Sequence, residues 1–183
     1  MNSRLQRVAL AAAAIIGVAA GIYAGIARLA PDSTQAATDA LYAVSLPDLD
    51  LRPQALSQWK EQTLLVNFWA TWCVPCREEI PALVRIQSRY SPKSMRIVGI
   101  ALDNPDQARA FAKDLGINYP VLIGSLNTMD LTRSLGNRGG VLPYTLALGP
   151  GGKVSKFHLG ALKEPEIEAL IAEIQAEASG SER

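Results

Sequence analysis

Three kinds of hydrophobic patterning divide the chain. One is unbroken: Val8 to Ala27 is a run of twenty residues without a charge, and a helix of that length spans about 30 Å, the thickness of a bilayer's hydrocarbon core. A second kind is the short apolar run. Thr63 to Trp69 and Met95 to Leu102 are near-continuous, which predicts strands buried on both faces. The third is helical spacing. The segment from about Cys73 to Tyr90 reads as an amphipathic helix, with Pro81 inside it expected to kink it. Ala108, Phe111, Ala112 and Leu115 share a face of a helix that Asn104 caps, Pro105 opens and Gly116 ends. Asn127 to Leu135 predicts another helix, closed by Gly136. Ile167, Leu170, Ile171 and Ile174 give one apolar face to a last helix over Glu164 to Ala176.

The remaining segments are shorter. Leu41 to Leu51 alternates weakly, which predicts an opening strand or hairpin, and Ser57 to Lys60 a helical turn. Tyr119 to Ile123 is a short extended run. Gly149-Pro150-Gly151-Gly152 is a turn between the strand after Pro143 and a partner over Lys153 to Leu159, hence a hairpin. Strand–helix–strand–helix followed by a hairpin and a helix is an α/β order, with helices covering a central mixed sheet. The early crossover is expected to be right-handed.

The domain reading follows. Residues 1–30 are an N-terminal membrane anchor, 31–40 a polar linker, 41–178 the folded domain and 179–183 a frayed tail. Arg4 and Arg7 precede the apolar run with no acidic residue between them and its start, which predicts the N-terminus inside and everything after Arg28 outside. The rival is a cleaved signal peptide, with Thr34-Gln35-Ala36 near its cleavage site, but such apolar regions run about 7–15 residues. Either reading exports the domain.

Charge and cysteine count narrow the function. Net charge is +1, and without Arg4, Arg7 and Arg28 there remain 15 basic against 17 acidic residues. No basic patch points to nucleic acid. Both cysteines lie in one motif, so no disulfide framework holds the fold and a core must.

That motif is Thr71-Trp72-Cys73-Val74-Pro75-Cys76, where the apolar strand gives way to a helix. A helix start leaves N–H groups unpaired and carries partial positive charge, which favours Cys73 as a thiolate. Cys76, one turn further in, is placed to close a disulfide with it, and Pro75 suits the first turn. One thiol attacks and the other resolves the mixed disulfide. A purely structural disulfide over so short a loop would constrain the unfolded chain little. A zinc site needs about four ligands, and beyond the two cysteines the chain has one histidine, His158. A lone imidazole is poor support for copper. No metal and no cofactor is expected.

Asn67-Phe68-Trp69-Ala70-Thr71-Trp72-Cys73-Val74-Pro75-Cys76, followed by Glu79-Ile80-Pro81, resembles the thioredoxin fold. More narrowly it resembles the TlpA/ResA-like membrane-anchored thiol–disulfide oxidoreductases of bacteria, over about Leu41 to Ala176. The resemblance implies a cis peptide bond at Leu142–Pro143 facing the dithiol, with Leu142 offering its backbone to an extended substrate and Trp72 lining the substrate surface. Asn67 stands where thioredoxin has a buried aspartate, and Glu79 matches the nearby acid of ResA-like members. The plain alternative for Glu79 is a solvated helix carboxylate. Trp59 and Trp69 read as packing residues.

What the resemblance implies for function is a reductase of disulfides in exported proteins, for example apocytochromes c before haem attachment. It would sit in the bacterial inner membrane by a single pass, N-terminus cytoplasmic and catalytic domain periplasmic, and draw electrons from a membrane donor of the DsbD/CcdA type. The runner-up among enzymes is a disulfide-forming oxidant, although oxidants of the DsbA type carry an inserted helical domain for which no segment here is long enough. A peroxiredoxin-like peroxidase would want a proline before the motif that Trp69-Ala70-Thr71-Trp72 lacks. A non-catalytic module binding metal or a partner is the alternative from another class.

Overall fold

The computed structural model describes residues 16–17, 33–91, 93–152 and 155–180. The chain divides into two compact units, 1–33 and 34–183. The expected anchor over Val8 to Ala27 lies outside the described residues, apart from Ile16 and Gly17, which are helical. Among the described residues no helix is long and apolar enough to cross a membrane.

The second unit is built on a five-stranded mixed sheet in the order β5-β4-β3-β6-β7. Its strands are β3 (Thr63–Trp69), β4 (Met95–Ala101), β5 (Val121–Ile123), β6 (Tyr144–Leu148) and β7 (Ser155–Leu159). β3 pairs parallel with β4 and antiparallel with β6, so it is central, and all seven of its residues are buried. That is why its sequence shows no polar alternation. Side chains still alternate between faces. Leu64, Val66 and Phe68 enter one core with Val98, Ile100 and Leu146. Leu65 and Trp69 point to the other face, against helices on the far side.

Those helices are α2 (Val74–Arg89), α3 (Pro105–Asp114) and α5 (Glu164–Gly180), while α4 (Leu126–Ser134) follows β5. α2 continues through Pro81, whose missing N–H removes one bond of the helical ladder. Asn104 caps α3 by accepting from the Asp106 N–H at 2.9 Å, and Pro105 opens it. Gly116 and Gly136 follow α3 and α4 with φ of 60° and 107°, a conformation that glycine adopts without the Cβ penalty. Lys156 on β7 pairs with Glu173 and Glu177 of α5, each at 2.9 Å.

Two boundaries differ from the sequence reading. Residues from Ser33 to Tyr42 form helix α1 rather than a tether. Ala37 and Leu41, four apart, are buried in the core with Tyr42, so the folded unit starts before residue 41. At the other end α5 runs to Gly180, since Glu177 and Ala178 are good helix formers. The opening hairpin is β1 (Ser45–Pro47) with β2 (Pro53–Ala55), and Leu56–Trp59 is a 3₁₀ turn.

Gly99 on β4 faces Asn67 in the register. A Cβ there would lie 2.8 Å from the Trp69 indole nitrogen and 3.2 Å from the Tyr119 ring. Both rings are buried and have no room to swing. Gly99→Ala is therefore expected to cost about 1–3 kcal/mol through overpacking. A urea titration of the full-length protein checks this; an unchanged midpoint would show that the indole can move.

Candidate active site

The end of β3 delivers the chain into the turn Ala70–Cys73, closed by the Cys73 N–H donating to the Ala70 carbonyl at 3.2 Å. Cys73 is the N-cap of α2, with φ −84° and ψ 104°, and its sulfur accepts from the Cys76 N–H at 3.3 Å. Pro75 sits in the first turn. Cys73 and Cys76 form a disulfide, their Cα atoms 5.3 Å apart. Cys73 keeps 6 % exposure and Cys76 none, so of the two only Cys73 retains any contact with solvent. The N-terminal end of α2 supplies the positive end of a dipole and a donor to Cys73 in its thiolate form.

Glu79 lies one turn beyond Cys76 on α2, and it is buried at 1 % exposure. It is not the solvated carboxylate that the sequence also allowed. The Asn67 side-chain amide donates to its Oε2 at 3.1 Å, and the Leu162 backbone N–H to its Oε1 at 3.2 Å. Asn67 also donates to the Thr145 hydroxyl at 2.9 Å; the register of β3 on β6 places these two residues side by side. Burial pushes the Glu79 carboxyl from an ordinary 4.5 up to about 7, against the smaller opposing effect of its hydrogen-bond donors. A cleft of about 310 Å³ between α2 and the start of α5 reaches it, lined by Glu78, Arg85, Leu162 and Lys163.

On another side lies an apolar groove of about 300 Å³, lined by Trp72, Leu102, Leu126, Met129 and Leu142. Trp72 is 70 % exposed. Leu142 packs against the cluster that holds Cys73 and Cys76. The Leu142–Pro143 peptide is cis, Pro143 is buried, and Leu142 precedes the β6 ladder, which begins at Tyr144. Asn137 holds this loop: its amide donates to the Val141 carbonyl at 3.0 Å, and its carbonyl accepts from the Val141 N–H at 2.8 Å.

Sequence reasoning missed Thr145, Leu162, Asn137 and the walls from α4. Strand register brings in Thr145; the others enter through backbone atoms or through where loops and α4 lie in space. His158 stands on β7 in a cleft with Glu166 and Glu173. Among the described residues no three His, Cys, Asp or Glu side chains are grouped to hold a metal ion.

The burial of Glu79 has a thermodynamic sign. Below about pH 4.5 the carboxyl is neutral in both folded and unfolded chains. Between 4.5 and about 7 only the folded chain keeps the proton. Stability due to this residue is thus full at low pH and falls as pH rises through that window, by on the order of 3 kcal/mol in total. The stability difference between the parent and Glu79→Gln, measured by denaturation from pH 4 to 8, is expected to move in favour of the glutamine variant as pH rises. A difference that stays flat would place an ionised carboxylate in the fold throughout.

The Redoxin family model matches residues 29–171 of the chain. The thioredoxin-like protein YneN of Bacillus subtilis is 31 % identical over 133 residues, covering 69 % of this chain and 74 % of YneN. The thiol-disulfide oxidoreductase ResA of Geobacillus thermodenitrificans is 28 % identical, over 71 % of this chain and 73 % of its own length. Among solved structures, a thioredoxin-related protein from Neisseria meningitidis serogroup B superposes with a TM-score of 0.66 at 32 % identity, covering 72 % of this chain and 98 % of that one.

Proposed function

This chain belongs to the Redoxin family and is a thiol–disulfide oxidoreductase, and on that premise we propose that it works as a reductase of disulfides in exported proteins, apocytochromes c among them. The observation that carries the reading is the pair of unlike cysteines at the start of α2, one marginally exposed and one fully buried, with a buried acid a turn away. In the reduced enzyme the Cys73 thiolate attacks one sulfur of a substrate disulfide. The bond between the two substrate sulfurs breaks, and a mixed disulfide with Cys73 forms. Cys76 loses its proton and attacks the Cys73 sulfur, which releases the second substrate thiol and closes the Cys73–Cys76 bond. Two electrons have passed to the substrate. Glu79, near neutrality in its affinity for protons, takes the proton of Cys76 in this scheme.

An extended substrate segment lies beside Leu142 as an added strand, with Pro143 fixing that edge and Trp72 walling the apolar groove. The N-terminal run Val8 to Ala27 anchors the enzyme in the bacterial inner membrane, with the catalytic unit on the periplasmic or extracytoplasmic face. Reducing power in an oxidising compartment must cross the membrane, so the partner that re-reduces Cys73–Cys76 is a membrane donor of the DsbD/CcdA type.

Three measurements bear on this. Cys76→Ser in the full-length protein is expected to accumulate a mixed disulfide through Cys73; no trapped mixed disulfide would remove the exchange mechanism. The potential of the Cys73/Cys76 couple is expected near that of thioredoxin, at about −270 mV, and one near −120 mV would mark a disulfide-forming oxidant instead. Cell fractionation is expected to leave the protein in the membrane with Met1 intact, whereas a soluble form beginning after Ala36 would mean a cleaved signal.

A further inference from the structure

β4 ends at Ala101, level with Trp69 at the end of β3. The ladder then runs one bond further, the Leu102 N–H donating to the Trp69 carbonyl at 2.8 Å. The next residue is Asp103. Its Oδ2 accepts from the Thr71 N–H at 2.9 Å and also from the Thr71 hydroxyl. Its Oδ1 accepts from the Asn104 N–H at 2.8 Å. Both oxygens are thus engaged, one on its own loop and one on the turn that enters the dithiol.

Thr71 is the first central residue of the turn Ala70–Cys73, and Trp72 is the second. A four-residue turn closed by a single bond leaves these two central residues to be fixed by something else. Holding both the N–H and the hydroxyl of Thr71 sets the direction in which Trp72 leaves the chain and the point at which Cys73 enters α2. The clamp is not needed to start α3, because Asn104 already caps that helix. Burial pushes the Asp103 carboxyl up, but its hydrogen bonds from Thr71 and Asn104 outweigh that and hold it below the usual carboxylate range. A charged acceptor makes the stronger hydrogen bond. The same strand end supplies Leu102 to the groove that Trp72 walls. One side of the groove and the clamp for its neighbour therefore come from adjacent residues.

We propose that Asp103 is a positioning residue for the thiol–disulfide reaction, acting through Thr71 to place Trp72 and Cys73. The inference rests on the reading of Cys73 as the attacking thiol and of Trp72 as a wall of the substrate groove. The clamp does not touch substrate. It holds the turn so that the attacking sulfur and the groove keep one relative position through the cycle of oxidation and reduction.

The test uses full-length Asp103→Ala, Asp103→Asn and Thr71→Val. With alanine the Thr71 donors lose their acceptor, and kcat/KM for a disulfide-bonded peptide with apolar residues beside its cysteines is expected to fall by about tenfold or more. Asparagine keeps an oxygen at the same place and is expected to stay within about threefold of the parent. A second readout needs no substrate. Of the three tryptophans, Trp59 and Trp69 are buried and Trp72 is exposed. The acrylamide-quenchable emission, which is that of Trp72, is expected to lose anisotropy in Asp103→Ala and to regain it in Asp103→Asn. A merely structural loop residue would lower stability without moving that signal, and this result would overturn the proposal. Should Asp103→Ala fail to fold, Thr71→Val removes one donor only; it is expected to lower the Trp72 anisotropy in part, and an unchanged value sinks the clamp. Because the anisotropy is read without turnover, a parent that reduces no disulfide would count against the proposed function while leaving the clamp still decided.

Discussion

The constraint on which the rest depends is the complete burial of β3. Seven consecutive residues are removed from water, yet one of them, Asn67, is an amide. A buried amide without partners costs free energy on the scale of a lost hydrogen bond. Here its two N–H groups go to Glu79 and Thr145, which ties the centre of the sheet to α2 and to β6. The carboxyl of Glu79 is tolerable in the same place because it receives that amide and the Leu162 N–H. The polar atoms under the dithiol are therefore one structure with shared donors. Removing Asn67 would leave Glu79 short of a partner, and the loss would not be confined to a single bond.

Much of this was legible in the sequence because the signals were local. The run Thr63 to Trp69 gave the central strand its bounds, and the Gly149 to Gly152 turn gave the hairpin. Asn104-Pro105 marked the start of α3 because capping is decided within four residues. Glu79 was picked out by its place in the motif, but its burial was not visible: a glutamate three residues past a cysteine faces water in one fold and Leu162 in another. The stretch from Ser33 read as a tether because Asp32, Thr34, Gln35 and Asp39 are polar. The structure makes it a helix because Ala37 and Leu41 fall on one face and meet the core. The groove walls from α4 and the Asn137 clamp depend on where a loop ends in space, which no local pattern encodes.

The two thiols differ for the same topological reason. Cys73 is the last residue before the helix and Cys76 is in its first turn, facing Trp69 and Ile80 in the core. The end of the central strand and the helix that begins after it leave Cys73 slightly exposed and Cys76 fully buried beneath it. A helix shifted by one residue would turn Cys76 by about 100° and away from its partner. The N-cap geometry of Cys73 and the clamp on the turn before it are what hold that register.

A disulfide exchange must move electrons between sulfurs and protons between sulfur and water, and under the proposed mechanism these two traffics would use different clefts of the structure. The groove of Trp72, Leu102, Leu126 and Leu142 is apolar, and its wall residue Leu142 packs against the cluster that holds Cys73 and Cys76. The cleft of Glu78, Arg85, Leu162 and Lys163 reaches Glu79 from between α2 and α5, and the two openings share no lining residue. Under the proposed mechanism a substrate segment seated in the groove would exclude water there and so strengthen the electrostatics at Cys73. It would leave open the cleft at Glu79, the acid proposed to take the proton of Cys76. If both shared one mouth, the bound substrate would block the proton that its own reduction requires. Separation would let substrate fill the groove while the cleft beside the buried Glu79 stays open, because the two are walled by different elements, α4 and the loop before β6 on one side and α2 and the start of α5 on the other.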